Sequence, residues 1–340
     1  MEYDKGKSER IIIMGVTTKD IAKICNVSRT TVNRAFSNTG RISEETKQLI
    51  LKTAEELNYR PDILATGLKN GRTGTIGVLV FDVKNQYFAQ MLNAIELSAQ
   101  KKNYFANISL HEKNKQQESE MLQRMVDYRV EGIILSPVSK DKKFEKTIRD
   151  LEKPVVIVGN KVSEKIPFVG IDEFQAAKDA VGLIASKGYK RIVFVCPPLA
   201  DKTRENIYSH EQRNAGFEAA VDELEVEGIS IGSWDYLETV KECIKKSKEK
   251  TAVFCSGDIY ALEIMKELRK NNLKPKEDYG IMGFDNIGFL DYVMPRMATI
   301  DNSVEAVAES AVETLFKMIN GEEVDKEIIV PYRIVEGDTL

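Results

Sequence analysis

The sequence lacks any apolar run long enough to cross a membrane, and it has few residues of the types that build covalent or metal-held sites. Cysteine occurs four times and histidine twice, at positions too scattered for a metal-ligand pattern. No export-type segment precedes the cysteines, so we expect reduced thiols in a cytoplasmic protein. These absences argue against a membrane protein, a disulfide-stapled secreted domain and a metalloprotein.

Signatures of catalysis are also missing. There is no combination of serine, histidine and aspartate typical of hydrolases and no phosphate-binding loop. Gly71, Gly74 and Gly77 do not have the dinucleotide-binding spacing, and they lead into a strand pattern. We therefore expect neither enzymatic activity nor a cofactor.

Charge is unevenly distributed along the chain. The net charge is −4, but residues 16–72 hold ten Lys or Arg against six Asp or Glu, which leaves +4 there and −8 on the remainder. A basic segment at one end of an acidic protein suits an anionic partner such as nucleic acid. An uneven but unspecific surface charge is the alternative.

Residues 16–61 have the pattern of three short helices. Thr18, Ser28 and Ser43 are candidate N-caps, and Pro61 ends the third helix. The apolar positions predicted to face inward are Ile21, Ala22, Ile24, Cys25, Val32, Ala35, Phe36, Leu49, Ile50, Ala54 and Leu57. The turn between the first two helices is so short that they must cross steeply, as in a helix-turn-helix.

The second of these helices has a face suited to DNA. Arg29, Thr30, Asn33 and Arg34 project from its N-terminal half, and no acidic residue lies in 27–42. Recognition helices enter the major groove by this end, where arginine can bond guanine. The alternative is a solvated helical hairpin with ordinary surface arginines.

Three stretches, residues 16–22, 27–34 and 57–62, resemble the head of the lactose and purine repressor (LacI/GalR) family. The resemblance implies that the second helix reads half of a pseudo-palindromic operator in double-stranded DNA. It also implies that Arg29 and Thr30 occupy the main base-specifying positions. The residues assigned to DNA are Thr17, Ser28, Arg29, Thr30, Thr31, Asn33, Arg34, Arg41, Ala65 and Leu68.

Residues 62–72 resemble the hinge that follows the head in this family. By this resemblance, Leu68 is the apolar residue that wedges into the minor groove at the operator centre. Gly67 departs from the longer residue expected there and weakens a helix, so we expect the hinge to depend on DNA for its folding. Residues 1–15 show no helix or strand pattern; we expect a disordered extension, with translation starting at Met1 or Met14.

From residue 73 to residue 340, apolar runs alternate with helical stretches. Strands are expected at 75–81, 105–110, 132–136, 154–158, 191–196, 251–255, 280–284 and 298–300. Such alternation predicts parallel sheets with right-handed crossovers. The predicted fold is an all-α helix-turn-helix head followed by an α/β body of two doubly wound parallel-sheet lobes, with a ligand cleft at the carboxyl ends of the strands.

The body also resembles the family's effector domain, which is similar to periplasmic sugar-binding proteins. The matching stretches are residues 81–88, 212–217 and 281–286. In this family the chain crosses three times between its lobes. The resemblance therefore implies a first lobe of about 73–170 and 303–335 and a second lobe of about 171–302.

Six residues are predicted to bind the effector: Tyr87, Phe88, Arg213, Trp234, Asp258 and Asp285. The resemblance makes Arg213 a residue that grips hydroxyls or a carboxylate, Asp285 an acceptor, and Trp234 a platform for a ring. For Trp234 and for the pair Tyr87 and Phe88, the alternative is packing in a core. Arg213 could instead lie on the surface of its helix, and Asp258 could serve only at the start of a helix.

The effector class is less defined. Trp234, Arg213 and Asp285 together favour a carbohydrate. Gly257 and the pair Gly159–Asn160 depart from residues that sugar-responsive members often keep, so a purine or nucleoside is the alternative.

Together these features predict a transcriptional regulator, a repressor, whose operator affinity is set by a small molecule. Reading a palindrome requires a homodimer, with the helix near 87–100 at the interface. The chain has no leucine heptad tail of the kind that builds tetramers. A ligand-binding protein without a regulatory role is the second hypothesis, and the basic head argues against it.

Overall fold

The computed structural model describes residues 16–37, 39–60, 72–199 and 205–340. The chain divides after Thr73 into two units, which are described here one at a time. No helix among the described residues is long and apolar enough to span a membrane.

The first unit contains three helices: α1 (Thr18–Ile24), α2 (Arg29–Ser37) and α3 (Glu44–Glu56). Ser28 and Ser43 cap α2 and α3 as predicted, each side-chain oxygen accepting a bond from the backbone amide three residues on. The predicted cap of α1 is wrong by one residue. Thr17 rather than Thr18 is the N-cap, and Asp20 bonds back to its amide in a capping box.

A small core holds the three helices together. Ile21, Val32 and Ile50, one from each helix, have no exposed surface. The inward orientation predicted for Ile24 and Leu49 is wrong, since these residues are 60% and 50% exposed. Successive helical residues point about 100° apart, so Leu49 cannot share the direction of Ile50. Ile24 closes the last turn of α1, at the edge of a core too small to cover it.

The first lobe of the second unit is built on a six-stranded parallel sheet. Its strands are β1 (Thr75–Val80), β2 (Phe105–Leu110), β3 (Ile133–Leu135), β4 (Val155–Val158), β5 (Phe168–Gly170) and β11 (Glu327–Ile329). The strand order is β11-β5-β4-β3-β1-β2. The surrounding helices are α4 (Gln86–Gln100), α5 (Lys115–Asp127), α6 (Lys142–Asp150) and α11 (Val304–Ile319).

The second lobe is built on a four-stranded parallel sheet. Its strands are β6 (Arg191–Cys196), β7 (Glu227–Gly232), β8 (Thr251–Cys255) and β9 (Gly280–Met282). The order is β7-β6-β8-β9, with α7 (Glu173–Ser186), α8 (Tyr208–Leu224), α9 (Leu237–Lys246) and α10 (Asp258–Lys270) around it. Every residue of β8 is buried, as expected for a parallel strand covered on both faces.

One predicted strand has a second partner. The prediction assigned 298–300 to the second parallel set, and Ala298 does form a parallel bridge with Met282 of β9. In addition, β10 (Thr299–Asp301) pairs antiparallel with β12 (Arg333–Val335) in a two-stranded sheet. The partner strand β12 comes later in the chain, after α11 and β11 of the first lobe. A local apolar run cannot reveal a partner that lies so far along the chain.

Candidate functional site

The exposed face of α2 is the first candidate site. Arg29, Thr30, Asn33 and Arg34 are exposed, whereas Val32 on the inner face has no exposed surface. Packing of one side of the helix into the small core therefore leaves the other side to solvent. This surface presents two guanidinium groups, a hydroxyl and an amide, all of which can bond the edges of bases.

The N-termini of α1 and α2 offer groups for phosphate. Helix N-termini carry unpaired amides and the positive end of the helix dipole. At α2, the exposed Ser28 has its Oγ 2.9 Å from Oγ1 of Thr31. At α1, Oγ1 of Thr17 donates to Oδ2 of Asp20 at 2.6 Å. Because an acidic side chain already accepts from Thr17, Ser28 and Thr31 are the better placed pair for a phosphate oxygen.

The turn after α2 shapes the surface around Arg34. Gly40 has a φ of +76°, and a Cβ there would lie 3.2 Å from both Cδ and Nε of Arg34. The Arg34 side chain therefore passes directly over the backbone of this turn. Arg41 follows in an exposed position. Ala65 and Leu68 lie outside the described residues, and their assignment to the hinge stays a prediction.

The centre of the second candidate site is an ion network in the second lobe. Arg213 of α8 donates from Nε to Oε2 of Glu173 at 2.7 Å and from Nη2 to Oε1 at 3.2 Å. Its Nη1 donates to the carbonyl oxygen of Ser256 at 2.5 Å and lies 3.7 Å from Oδ1 of Asp285. The guanidinium also stacks 3.5 Å from the centroid of the Phe284 ring. Arg213 is thus held in one orientation by protein groups on several sides.

Asp285 is the acidic residue of this network with spare bonding capacity. Its backbone φ is +109°, and its Oδ1 accepts from Nδ2 of Asn302 at 3.1 Å. Burial raises the pKa of Asp285 to about 7, although the adjacent Arg213 acts to lower it. Near neutral pH this carboxyl group can therefore both donate and accept a hydrogen bond, which suits a ligand hydroxyl.

An aromatic wall faces this network from the first lobe. The rings of Tyr87 and Phe88 lie 5.0 Å apart, and Phe88 in turn lies 5.1 Å from Phe81. Burial, together with the carboxylates of Asp285 and Glu173, raises the pKa of Tyr87. Tyr87 also packs against the apolar core of the second lobe, so the structure brings it into the region of Arg213 and Asp285.

Trp234, the residue predicted to form a platform for a ring, is 59% exposed. Nζ of Lys113, from the first lobe, lies 5.6 Å from the centroid of the Trp234 ring and 6.0 Å from that of Phe81. Distances of this size permit a cation–π attraction. Lys113 thus links an aromatic residue of each lobe, and Trp234 lies at the rim rather than in a core.

Several buried polar atoms near these residues have no hydrogen-bond partner within the described part of the chain: Oγ of Ser136, Oγ of Ser256, Nδ1 of His210 and Oδ1 of Asn302. Unsatisfied buried polar atoms are costly and call for a partner. Asn302 and Ser256 are also in direct contact with the ion network. This region therefore combines aromatic side chains with convergent polar groups, as small-molecule sites do.

Comparison with known proteins follows the same division of the chain. Residues 17–62 match the model of bacterial regulatory proteins of the lacI family, and residues 181–340 match the periplasmic binding protein-like domain. The chain is 30% identical to catabolite control protein A of Priestia megaterium, over 94% of its own length and 98% of that protein. The chain belongs to the LacI family. It is a DNA-binding transcriptional regulator with a sugar-binding-like body.

Further relatives agree with this membership. The HTH-type transcriptional regulator RegA of Clostridium saccharobutylicum is 26% identical over 96% of this chain and 99% of that one. The Lac repressor dimer bound to operator and the anti-inducer ONPF has the same fold, with a TM-score of 0.84 and 20% identity over 96% of this chain and 99% of that chain.

A third relative was solved with a sugar. It is a periplasmic binding protein/LacI transcriptional regulator from Alkaliphilus metalliredigens complexed with D-xylulofuranose. Its TM-score is 0.70 at 25% identity, over 78% of this chain and 98% of that chain. The predicted family and the predicted two-part fold are both confirmed.

Within this LacI-family body, Asp258 does not fit the predicted ligand role. It is fully buried, its Oδ1 accepts from Oγ1 of Thr299 at 2.6 Å, and its Oδ2 accepts from the amide of Ile287 at 2.9 Å. Both oxygens therefore tie the start of α10 to neighbouring segments. The structure corrects the expectation of a ligand acid in favour of the helix-start alternative.

Two residues of the cleft were missed from the sequence. Glu173 lies in the first turn of α7, where an acidic residue is common because it interacts favourably with the helix dipole. Lys113 follows β2 in a polar segment that has no pattern of its own. Only the proximity of the strand ends in the folded lobes brings these two charges to Arg213 and Trp234.

Proposed function

We propose that this LacI-family chain is an operator-binding repressor, acting as a homodimer, whose DNA affinity is controlled by a carbohydrate bound between the lobes. The DNA part is carried by the exposed, acid-free face of α2. Arg29 and Arg34 can each form a bidentate pair with guanine, which contributes about 1–3 kcal/mol of base discrimination.

The effector class is supported by the charges of the cleft. The positive charge of Arg213 is already balanced by Glu173 and by the partly ionised Asp285. A carboxylate on the ligand would add unpaired negative charge to a buried site, which is unfavourable. A neutral sugar, in contrast, can bond Asp285 through its hydroxyl groups and stack its ring over Trp234.

The homodimer is supported by an apolar surface on the first lobe. Leu97 of α4 and Phe105 and Ile108 of the edge strand β2 are exposed, Phe105 by 64%. Apolar residues grouped on an edge strand favour association, because burying them against a second copy removes apolar surface from water. A twofold dimer would also present two α2 helices to a palindrome.

The DNA part is tested by selecting sites from random double-stranded DNA with the purified chain. We expect enrichment of a palindromic motif with guanine in each half-site. Fluorescence anisotropy on the enriched site then gives the operator affinity with and without candidate effectors. If no motif is enriched under any effector condition, the proposal of a sequence-specific regulator is wrong.

The effector part is tested by thermal shift against neutral sugars, sugar acids, purines and nucleosides. We expect neutral sugars to raise the melting temperature, and Trp234→Ala to reduce this rise without altering the ligand-free protein. Tyr128→Ala removes an aromatic residue of similar exposure outside the cleft and serves as the control. Stabilisation by purines instead would contradict the carbohydrate assignment.

A further inference from the structure

Buried amide bonds join the two lobes along one side of the cleft. Asn206, in the segment before α8, donates through Nδ2 to the carbonyl oxygens of Asn160 and Lys161, both at 3.2 Å. Asn160, which follows β4 in the first lobe, donates through its own Nδ2 to the carbonyl oxygen of Asn206 at 2.9 Å. Asn206 is 3% exposed and Asn160 is 9% exposed, so water does not compete for these bonds.

Neighbouring groups extend the same junction. The amide of Asn206 donates to the carbonyl oxygen of Val138 at 2.7 Å. The amide of Ser209 donates to Oδ1 of Asn160 at 3.1 Å, and its Oγ donates to the carbonyl oxygen of Gly159 at 3.0 Å. Every polar atom of the Asn160 side chain is therefore used in holding the second lobe.

The junction is coupled to the centre of the effector site through α8. Ser209 lies in the first turn of this helix and Arg213 one turn further on. The helix that positions the central arginine is thus fixed to the first lobe at its N-terminus. Satisfied buried networks of this kind specify one geometry, because opening them leaves several buried donors without partners.

We propose that Asn160 and Asn206 form a clasp that holds the two lobes in one relative orientation, and that an effector which reorients the lobes acts against it. The consequence for operator affinity rests on the proposed function, but the clasp itself does not. The clasp also accounts for the asparagine at position 160, which is used between the lobes and is not available to a ligand.

The test compares Asn160→Ala, Asn206→Ala and the double variant with the full-length wild type. Asn214→Ala is the control, since this side chain bonds Glu218 and Ser230 within the second lobe. The first readout is hydrogen exchange at the amide of Asn206. The second is the emission of Trp234, the only tryptophan, whose ring faces Lys113 of the other lobe.

We expect amide exchange at residue 206 to rise about tenfold or more in both single variants. The emission maximum of Trp234 should shift by the same amount in the single and double variants, because either substitution opens the same clasp. Asn214→Ala should match the wild type. Should the alanine variants lose their helical circular dichroism, Asn206→Asp keeps the side-chain volume, removes the Nδ2 donors and carries the same expectations.

Two results would overturn the clasp: exchange at residue 206 that stays at the wild-type rate, or faster exchange with an unchanged Trp234 emission. The latter would mean that the bonds hold only their own segment. Operator affinity is measured in parallel and should differ from wild type in the clasp variants alone. A wild type that binds no operator would refute the proposed function, while exchange and emission would still decide on the clasp.

Discussion

Arg213 and Asp285 illustrate how neighbours determine the chemistry of a single residue. Arg213 has its orientation set by Glu173 and by the ring of Phe284, so little of its freedom remains to be lost when a ligand binds. Asp285 lies beside it, and burial raises the pKa of this carboxyl group to about 7. A fixed donor and a carboxyl group that both donates and accepts are suited to orienting hydroxyl groups.

Glu118, which bonds Val138 next to the clasp, offers a pH-dependent prediction. It has no exposed surface, its Oε1 accepts from the amide of Val138 at 2.8 Å, and burial raises its pKa to about 7. Because the folded protein binds this proton more tightly than the unfolded chain, the stabilisation is complete below about pH 4.5 and is lost as pH rises through about 7.

Glu118→Gln removes this titration and keeps an oxygen for Val138. We expect the free energy of unfolding of the variant to exceed that of wild type by up to about 3 kcal/mol at pH 8, and the two to converge near pH 4.5. Urea unfolding across this pH range measures the difference. Glu120→Gln, an exposed position of the same helix, is the control. A difference independent of pH would contradict the burial argument.

Arg29 gives a second prediction at the scale of one residue. If its guanidinium bonds one guanine, Arg29→Ala should weaken operator binding by about 1–3 kcal/mol, roughly 5- to 150-fold, and relax the preference at one base pair per half-site. Lys52→Ala removes an exposed charge from α3 beside Glu56 and should change affinity much less. Anisotropy titrations against operators with single base changes measure both effects. Uniform weakening across all sequences would instead indicate a phosphate contact.

At the scale of elements, the pair α7 and α8 yields two opposite predictions for glycine. A Cβ at Gly182, inside α7, would meet nothing within 4 Å. A Cβ at Gly216, inside α8, would lie 2.1 Å from the carbonyl oxygen of Phe174 on the facing helix. Gly182→Ala should stabilise the body by about 0.5–1 kcal/mol, whereas Gly216→Ala should destabilise it by about 1–3 kcal/mol. Chemical unfolding of the two variants measures these changes, and equal effects would refute the close approach.

The elements were most predictable where an apolar run is bounded by polar segments. β1, β6 and β8 are almost wholly buried and begin at their predicted residues, because runs rich in Val and Ile favour strands. β2 also begins at its predicted residue, although none of its residues is buried. β7 was not predicted, since its sequence EGISIG contains two polar residues and two glycines. β5, β11 and β12 were also not predicted; each has only three residues, and β11 and β12 each begin with a charged residue.

The candidate sites were predictable to different degrees, because one is formed by residues close in sequence and the other by residues far apart. The α2 surface follows from the helical period within nine residues, so its exposed set could be read locally. The clasp joins Asn160 to Asn206, and the ion pair joins Glu173 to Arg213, forty residues apart. Such pairs depend on which strand ends meet in the folded lobes, and no local pattern records that.

At the scale of the whole body, the described parts of the two lobes share one apolar cluster and are also linked by specific polar contacts. Besides the clasp, Oε1 of Gln86 accepts from the amide of Phe289 at 2.9 Å, and Nζ of Lys140 lies 3.2 Å from Glu211. Packed lobes linked by discrete bonds change orientation by exchanging one bond set for another. A ligand shifts this balance only by the difference in its affinity for the two arrangements.

The dimer provides the prediction that involves the whole molecule. Phe105 projects from the edge strand β2 and is 64% exposed, so a carboxylate there would be buried without a partner if two copies meet on this surface. We expect Phe105→Asp to sediment as a monomer at concentrations where the wild type is a dimer.

The same variant should lose affinity for a palindromic operator and retain weak binding to a half-site, because each head folds around its own core. Leu224→Asp places the same charge at an exposed apolar position at the end of α8 and should remain dimeric. Analytical ultracentrifugation and operator titration distinguish the two variants. A dimeric Phe105→Asp with wild-type operator affinity would place the dimer contact on another surface, and the exposed residues of α4 and β2 would then need a different partner.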